Sequence, residues 1–394
     1  MSAAPAPLSG RAFAGVFAHT FCGLLAVGAV LPVLPGYVKG KLGYGDFAVG
    51  VVIGCYAISG LLLRPVAGRL ADRRGRKRTA LAGSLLLSAA GFLYLAPLGL
   101  AGLIVARLVL GAGEGTVYTA CSAWTVDLAP PASRGRVLGL YGLAVWGGLS
   151  VGPLLGSLVH NAAGYDEVWL LAALLPLAGA LAGAAVADPF APLAHAEPHP
   201  LVAPEAVRPG IAVGLAAIGY ATVAAFVVLL LERRGIDDGS VVFAAFAGAI
   251  VVARLLLGHL PDRLGPARVA IGATVAEAAG LLAIAVAGSL PVALLGGVAM
   301  GSGFALLNPS LMLIVVEQVS EAARGAALGT FTAFFDAGVG VGAPVAGLAA
   351  TLSSYEGAFL LASAFALASG VAIYLTVHGR GGSARSERGA FSVR

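Results

Sequence analysis

The chain has 394 residues, of which 59% are hydrophobic and 11% charged, with a mean hydropathy of +0.94. A soluble domain runs near half apolar and a quarter charged, so this composition excludes a soluble enzyme, and its apolar content excludes a disordered chain. The formal charge of +5 does not mark a nucleic-acid binder, because most bases stand in short loops between apolar runs and form no patch.

An all-α integral membrane protein remains. At roughly 30 to 35 residues for each span with its loop, the length admits about twelve spans. The 57 glycines suit closely packed membrane helices, and the ~10-residue alternating segments of a β-barrel are missing from the sequence. Hydropathy predicts helices at about 12–37, 46–68, 79–97, 100–125, 137–160 and 166–187, then 210–232, 240–260, 268–288, 291–316, 326–350 and 356–378. The first run has no early basic region and reads as a retained helix, not a cleaved signal. Asp188 to Pro209 is rich in proline and polar residues, so it reads as a cytoplasmic linker between six-helix bundles at 1–187 and 210–378. The segment 379–394 reads as a disordered cytoplasmic tail.

The bases orient this topology. Of the 24 Lys and Arg, Lys39, Lys41, Arg233 and Arg234 fall in loops on one side, Arg64, Arg107 and Arg254 fall within helices, and the other 17 fall on the side of the termini. That bias puts both termini in the cytoplasm and makes the chain a multi-pass protein of the cytoplasmic (inner) membrane. Cys22, Cys55 and Cys121 lie in apolar runs and are spaced for neither disulfides nor a metal. With no G-x-x-x-x-G-K-[ST] pattern, ATP drive is not expected, and neither is a metal or cofactor.

The strongest signal is an internal repeat. LLLRPVAGRLADRRGRKR from Leu61 aligns with VVARLLLGHLPDRLGPAR from Val251 at an offset of 190, which pairs Arg64 with Arg254, Gly68 with Gly258, Asp72 with Asp262 and Gly75 with Gly265. The same offset carries Gly111 to Gly301, Gly113 to Gly303, Arg134 to Arg324 and Gly152 to Gly342. Duplicated halves are the architecture of transporters that rock two bundles about a midplane site.

Three motifs give this repeat a family. Gly68-Arg69-Leu70-Ala71-Asp72-Arg73-Arg74-Gly75-Arg76-Lys77 matches G-x-L-a-D-r-x-G-r-k, with a weaker copy at Gly258, Asp262 and Gly265. Arg107, Gly111 and Gly113 match R-x-x-x-G-x-G on the fourth helix. Gly148, Gly152, Pro153 and Gly156 match g-x-x-x-G-P-x-x-G on the fifth, with Ser157 in place of a final glycine. In these motifs the chain resembles the major facilitator superfamily over essentially its whole length, and in particular its twelve-helix drug and metabolite:proton antiporters. The resemblance implies two pseudo-symmetric six-helix bundles, mostly as a monomer. It implies that the Gly68 to Lys77 loop, with Asp127 at the end of helix 4, latches the halves together, and that the Gly148 to Gly156 motif marks an exporter.

Ionisable residues within spans are expensive and mark function by default. Glu114, seven residues and two turns from Arg107, shares its face. Asp336 lies mid-span on helix 11, which lines the cavity in this family. Glu114, Asp336, Arg107, His19 and Glu277 are the proton-coupling candidates, with a hydrogen-bonded core role as the alternative for His19. Arg64 and Arg254 are read as snorkelling or bracing residues near the cytoplasmic helix ends. Tyr37, Tyr56, Tyr118, Trp124, Trp146, Tyr220, Phe226, Asn308, Phe334 and Phe335 are the candidate cavity contacts. The expected function is proton-coupled, alternating-access export of a small amphipathic or cationic molecule. The alternatives are export or flipping of a specialised metabolite, siderophore, sugar or lipid, and a receptor-like protein that binds without transporting. The expected partners are the cargo, protons and the bilayer.

Overall fold

Among the described residues of the computed structural model, twelve helices are long and apolar enough to cross a membrane. The structure describes residues 10–130, 134–188, 202–236, 239–320 and 323–378. The spans are α1 (Gly10–Lys41), α2 (Asp46–Arg74), α3 (Arg76–Leu95), α4 (Gly99–Leu128), α5 (Arg134–Ala162) and α6 (Tyr165–Ala184). The second set is α7 (Pro204–Arg233), α8 (Gly239–Leu257), α9 (Pro266–Val286), α10 (Leu290–Val316), α11 (Arg324–Leu352) and α12 (Tyr355–His378). Every backbone group in lipid must be satisfied within its own segment, which is why an apolar chain of this length resolves into helices. An even number of spans returns the chain to its starting face. Gly10 and His378 therefore share one side, here the terminal face.

Helix ends differ from the hydropathy reading where the helix outlasts its apolar stretch. α2 runs on to Arg74, beyond the expected 68, because Arg69 to Arg74 includes good helix formers with no breaker before Gly75. α7 starts at Pro204, not 210, since proline is tolerated in the first turn of a helix. α8 stops at Leu257, where Gly258 and Pro261 interrupt it, and a short helix, Leu260–Leu264, follows. Gly75 (φ +100°) and Gly265 (φ +88°) occupy matched turns of the repeat in a backbone conformation that side chains rarely adopt. Most of the linker and the whole tail lie outside the described residues.

The two halves repeat each other in packing as well as in sequence. In the first, α1 packs on α5 and α6, α3 on α4 and α6, and α2 on α4; in the second, α7 packs on α11 and α12, α9 on α10 and α12, and α8 on α10. Large apolar side chains point outward, with Leu62, Leu181, Leu295 and Leu352 all at least 66% exposed, as lipid requires. Small residues line the seams. The glycines of the α5 motif press on α1, where side-chain atoms at Gly148, Gly152 or Gly156 would meet the backbone of Leu25, Gly28 or Ala29. Gly338 and Gly342 of α11 meet α7 in the same way.

The halves touch each other mainly through α2 with α11 and α5 with α8, which are exchanged by the pseudo-twofold. The α2–α11 contact is tightest away from the terminal face, where Gly50 and Gly54 abut Ala343, Gly340 and Pro344, and Gly347 abuts Asp46. On that same side Lys39 Nζ donates to Asp46 Oδ1 (2.5 Å) and Tyr355 Oη (2.6 Å), and Tyr355 Oη donates to Asp46 Oδ1 (2.9 Å). This cluster ties α1 and α2 to α12. The face opposite the termini is closed.

Candidate functional site

At mid-depth, between the halves, lies a cavity of about 210 Å³. Arg64, Glu114, Arg254 and Asp336 supply its charges, and Tyr56, Tyr118, Trp146, Tyr220 and Phe335 supply aromatic walls. At 1.5 Å per residue, Arg64 stands about 15 Å in from the Arg74 end of α2 and Asp336 about 18 Å in from the start of α11. Both are too deep to reach the terminal face, so Arg64 neither snorkels nor braces the loop. Arg254 likewise faces the cavity.

Arg64 forms the centre of the site. Its Nε donates to Asp336 Oδ2 at 2.7 Å and its Nη2 to Asp336 Oδ1 at 3.3 Å, a fork that grips a carboxylate with both oxygens. The same Nη2 donates to Glu114 Oε2 at 3.4 Å, and the guanidinium carbon sits 5.0 Å from the Tyr118 ring centroid. Glycines make this approach possible. Gly60, Gly111 and Gly115 let α2 and α4 pack nearly backbone to backbone, so that side chains one turn apart can meet. Asp336 is only 5% exposed. Arg64 and Glu114 belong to one half and Asp336 to the other, so the Arg64–Asp336 fork is an ion pair across the interface between the halves. One guanidinium facing two carboxyls can let go of either and remain paired.

The other ionisable candidates are elsewhere. Arg107 does not pair with Glu114, because seven helical residues separate them by about 10.5 Å along the axis. Its guanidinium donates to the carbonyls of Val52 (2.9 Å) and Ile53 (2.8 Å) and lies 4.5 Å from the Tyr56 ring centroid, so it staples α4 to α2. His19 is fully buried against α3 and α6, with Nε2 2.7 Å from Ser84 Oγ. Glu277 is fully buried beside Gly219 and Met300 in the second half, away from the cavity, with no hydrogen-bond partner among the described residues.

Of the aromatic and amide candidates, Tyr56, Tyr118, Trp146, Tyr220, Asn308 and Phe335 line the cavity. Tyr37, Trp124, Phe226 and Phe334 do not. Tyr37 stacks edge-on with Tyr165 and Trp169 at the closed face, and Phe226 stacks on Tyr355 there. Trp124 donates to the Ala187 carbonyl, and Phe334 packs over Gly210 and Gly214. The cavity role of Arg64 and Arg254, and the Lys39–Asp46–Tyr355 cluster, were not expected. An arginine inside an apolar run was the available signal for the first two.

Among the described residues, the latch residues form no ion pair between the halves. Arg76 pairs with Asp72 and, at 3.0 Å, with Asp127, all within the first half. Lys77 reaches the carbonyls of Ala184 and Val186. Gly68 faces Thr119 of α4, not α11. In the weaker copy Gly258, Asp262 and Gly265 keep the turn, but Pro266 stands where Arg76 does, so that base is lost.

A duplicated twelve-helix membrane chain with a charged midplane cavity matches the profile of the Major Facilitator Superfamily at residues 16–237 and again at 209–393. The chain belongs to this superfamily. It is 34% identical over 374 residues to an MFS-type transporter of Salmonella typhimurium, covering 91% of this chain and 95% of that one. It is 37% identical over 377 residues to an MFS-type transporter of Pseudomonas aeruginosa, covering 93% and 92%. The nucleoside transporter NupG superimposes with a TM-score of 0.75 at 14% identity, covering 94% of this chain and 100% of NupG, a likeness of fold. This is a membrane transporter and not an enzyme.

Proposed function

We propose that this MFS transporter exports a small amphipathic molecule from the cytoplasm in exchange for protons, with Asp336 and Glu114 carrying the proton. The observation that carries the reading is the Arg64 fork to Asp336 across the two halves, with Glu114 as the competing acid. Cargo entering from the cytoplasm loosens the cross-half fork while Arg64 stays paired with Glu114, and the halves separate on the closed face. There a proton from the outside cancels the Asp336 charge, so the halves close again over a neutral carboxyl, and release of that proton to the cytoplasm restores the fork.

In this reading the bundles at 1–187 and 210–378 rock as units joined by the cytoplasmic linker 188–209, with both termini cytoplasmic. The structure then corresponds to the inward-facing state, closed toward the outside. The latch of Gly68, Asp72, Arg73, Gly75, Arg76 and Asp127 would engage the second half only in the opposite state. The α5 motif of Gly148, Gly152, Pro153 and Gly156 gives α5 a smooth seam on which α1 can slide. Arg107 positions α2 against α4. His19 and Glu277 carry no proton in the cycle. Both cavity acids face Arg64, so no carboxylate stands free for a cationic cargo, which favours the amphipathic alternative.

The test is transport in proteoliposomes under an imposed pH gradient. Asp336→Asn and Glu114→Gln should each uncouple transport from the gradient while the protein stays folded. Gradient-driven transport at the wild-type rate in both variants would refute the assignment.

A further inference from the structure

The pseudo-twofold relates every member of the Arg64 cluster to a residue around Arg254. At the offset of 190, Arg64 maps to Arg254, Glu114 to Phe304, Tyr118 to Asn308, and Trp146 to Asp336. The second half has therefore kept the arginine and holds rings where both carboxyls stood. The coordinates show the same exchange in space. The Arg254 guanidinium lies 5.1 Å from the Trp146 ring centroid, and Trp146 meets Phe304 edge-on at 5.6 Å. No carboxylate forms an ion pair with Arg254 among the described residues, and its buried Nε has no hydrogen-bond partner. Arg254 and Trp146 both line the cavity.

An arginine cannot shed its proton, so Arg254 is a permanent cation. A ring face offsets part of the cost of burying it, but a ring supplies no acceptor for the N–H groups. The other polar groups of the cavity besides the two acids and Arg64 are neutral: the hydroxyls of Tyr56, Tyr220 and Tyr118, the last close enough to interact with Arg254, the Asn308 amide, and the Thr332 hydroxyl, whose Oγ1 already donates to the Leu328 carbonyl. Both cavity acids are turned toward Arg64 in this arrangement, so a direct partner for Arg254 would come from outside the chain.

We propose that Arg254 is the anion-recognition residue of the cargo site, and that the cargo is a small organic anion whose carboxylate or similar acidic group pairs with Arg254 while its apolar body lies on Trp146, Tyr220 and Phe335. This deepens the transport reading above and rests on it for the identity of the cavity, though not on proton coupling. The planar fork of arginine suits a carboxylate held by two oxygens. The cation–π contact leaves the Trp146 side of the guanidinium covered, so an anion meets it by its edge. The cavity of about 210 Å³ limits the body to a small ring system.

The test compares three probes with one body and three charges: 2-naphthoate, 2-naphthamide and 2-naphthylmethylamine. Binding to the purified full chain in detergent is read by quenching of tryptophan fluorescence. The wild-type protein should bind naphthoate at least tenfold more tightly than the amide or the amine. Arg254→Gln should reduce naphthoate binding to the level of the amide, and Arg254→Lys should restore part of the preference. Equal binding of all three, preference for the amine, binding of none, or a naphthoate preference that survives Arg254→Gln would each overturn the proposal. If Arg254→Gln fails to fold, the wild-type ranking and the Lys variant decide. Asp336→Asn is measured in parallel. A naphthoate preference kept there, with gradient-driven transport unaffected, would sink the proton assignment and leave the anion site standing.

Discussion

Replacing Asp336 with Asn tests the conformational role of the ion pair apart from transport. The change keeps side-chain volume and removes the charge from a fork of 2.7 and 3.3 Å to Arg64. Deleting one partner of a buried pair costs about 3–5 kcal/mol when the survivor is stranded. Arg64 is not stranded, because Glu114 remains 3.4 Å away. The loss is then nearer that of one charged hydrogen bond, about 2 kcal/mol. The fork joins the two halves and exists only while α2 and α11 are together, so this loss falls on the closed arrangement alone. At 1.4 kcal/mol per decade, the equilibrium should move about 30-fold toward opening on the face opposite the termini. Spin labels at the exposed Tyr44 and Ser353, in a variant with Cys22, Cys55 and Cys121 replaced, would report the shift by pulsed electron resonance. Asp336→Asn should transfer population from the short to the long distance. An unchanged distribution, or a gain at short distance, would refute the view that this pair holds the halves together.

Other outcomes follow from the packing. Gly54→Val puts atoms where the Gly340 carbonyl (2.8 Å from an added Cβ) and Pro344 (2.9 Å) already are, so the same labels should separate and transport should stop; wild-type distances would show that this seam is not the closing one. Arg107→Lys keeps the charge but loses the two-carbonyl grip on Val52 and Ile53, which should cost about 1–3 kcal/mol and lower Tm without abolishing gradient dependence. Lost coupling at unchanged Tm would instead make Arg107 a member of the proton path. Glu277→Gln should leave coupled transport intact, since the side chain packs beside Gly219 and Met300 and not on the cavity; uncoupling in a folded Glu277→Gln protein would place a second proton site in the periphery.

The fold was legible because its signals are long and redundant. Twelve apolar runs and a repeat held at one offset through charged loops each constrain the same topology. The site was legible in part. Asp336 and Glu114 stood out because charge within a span is costly. Their shared partner was not legible, because helical spacing relates Glu114 to Arg107 on its own helix and says nothing about Arg64 arriving from α2. The depth of Arg64 was obscured by the charged extension of α2 to Arg74, which moves a residue near the end of the apolar run to mid-helix. Aromatic candidates divided for a similar reason. Tyr37 and Phe226 sit on cavity-lining helices but at the closed face, and one sequence cannot tell depth from facing.

The most direct test of the central claim is proton movement itself. Proteoliposomes holding the full chain and a trapped pH dye would be given a pH gradient, then naphthoate, naphthamide and naphthylmethylamine in turn. The account predicts that a transported probe collapses the gradient with wild-type protein and fails to do so with Asp336→Asn. Transport of a probe that leaves the gradient untouched in the wild type, or a collapse unchanged in Asp336→Asn, would contradict it.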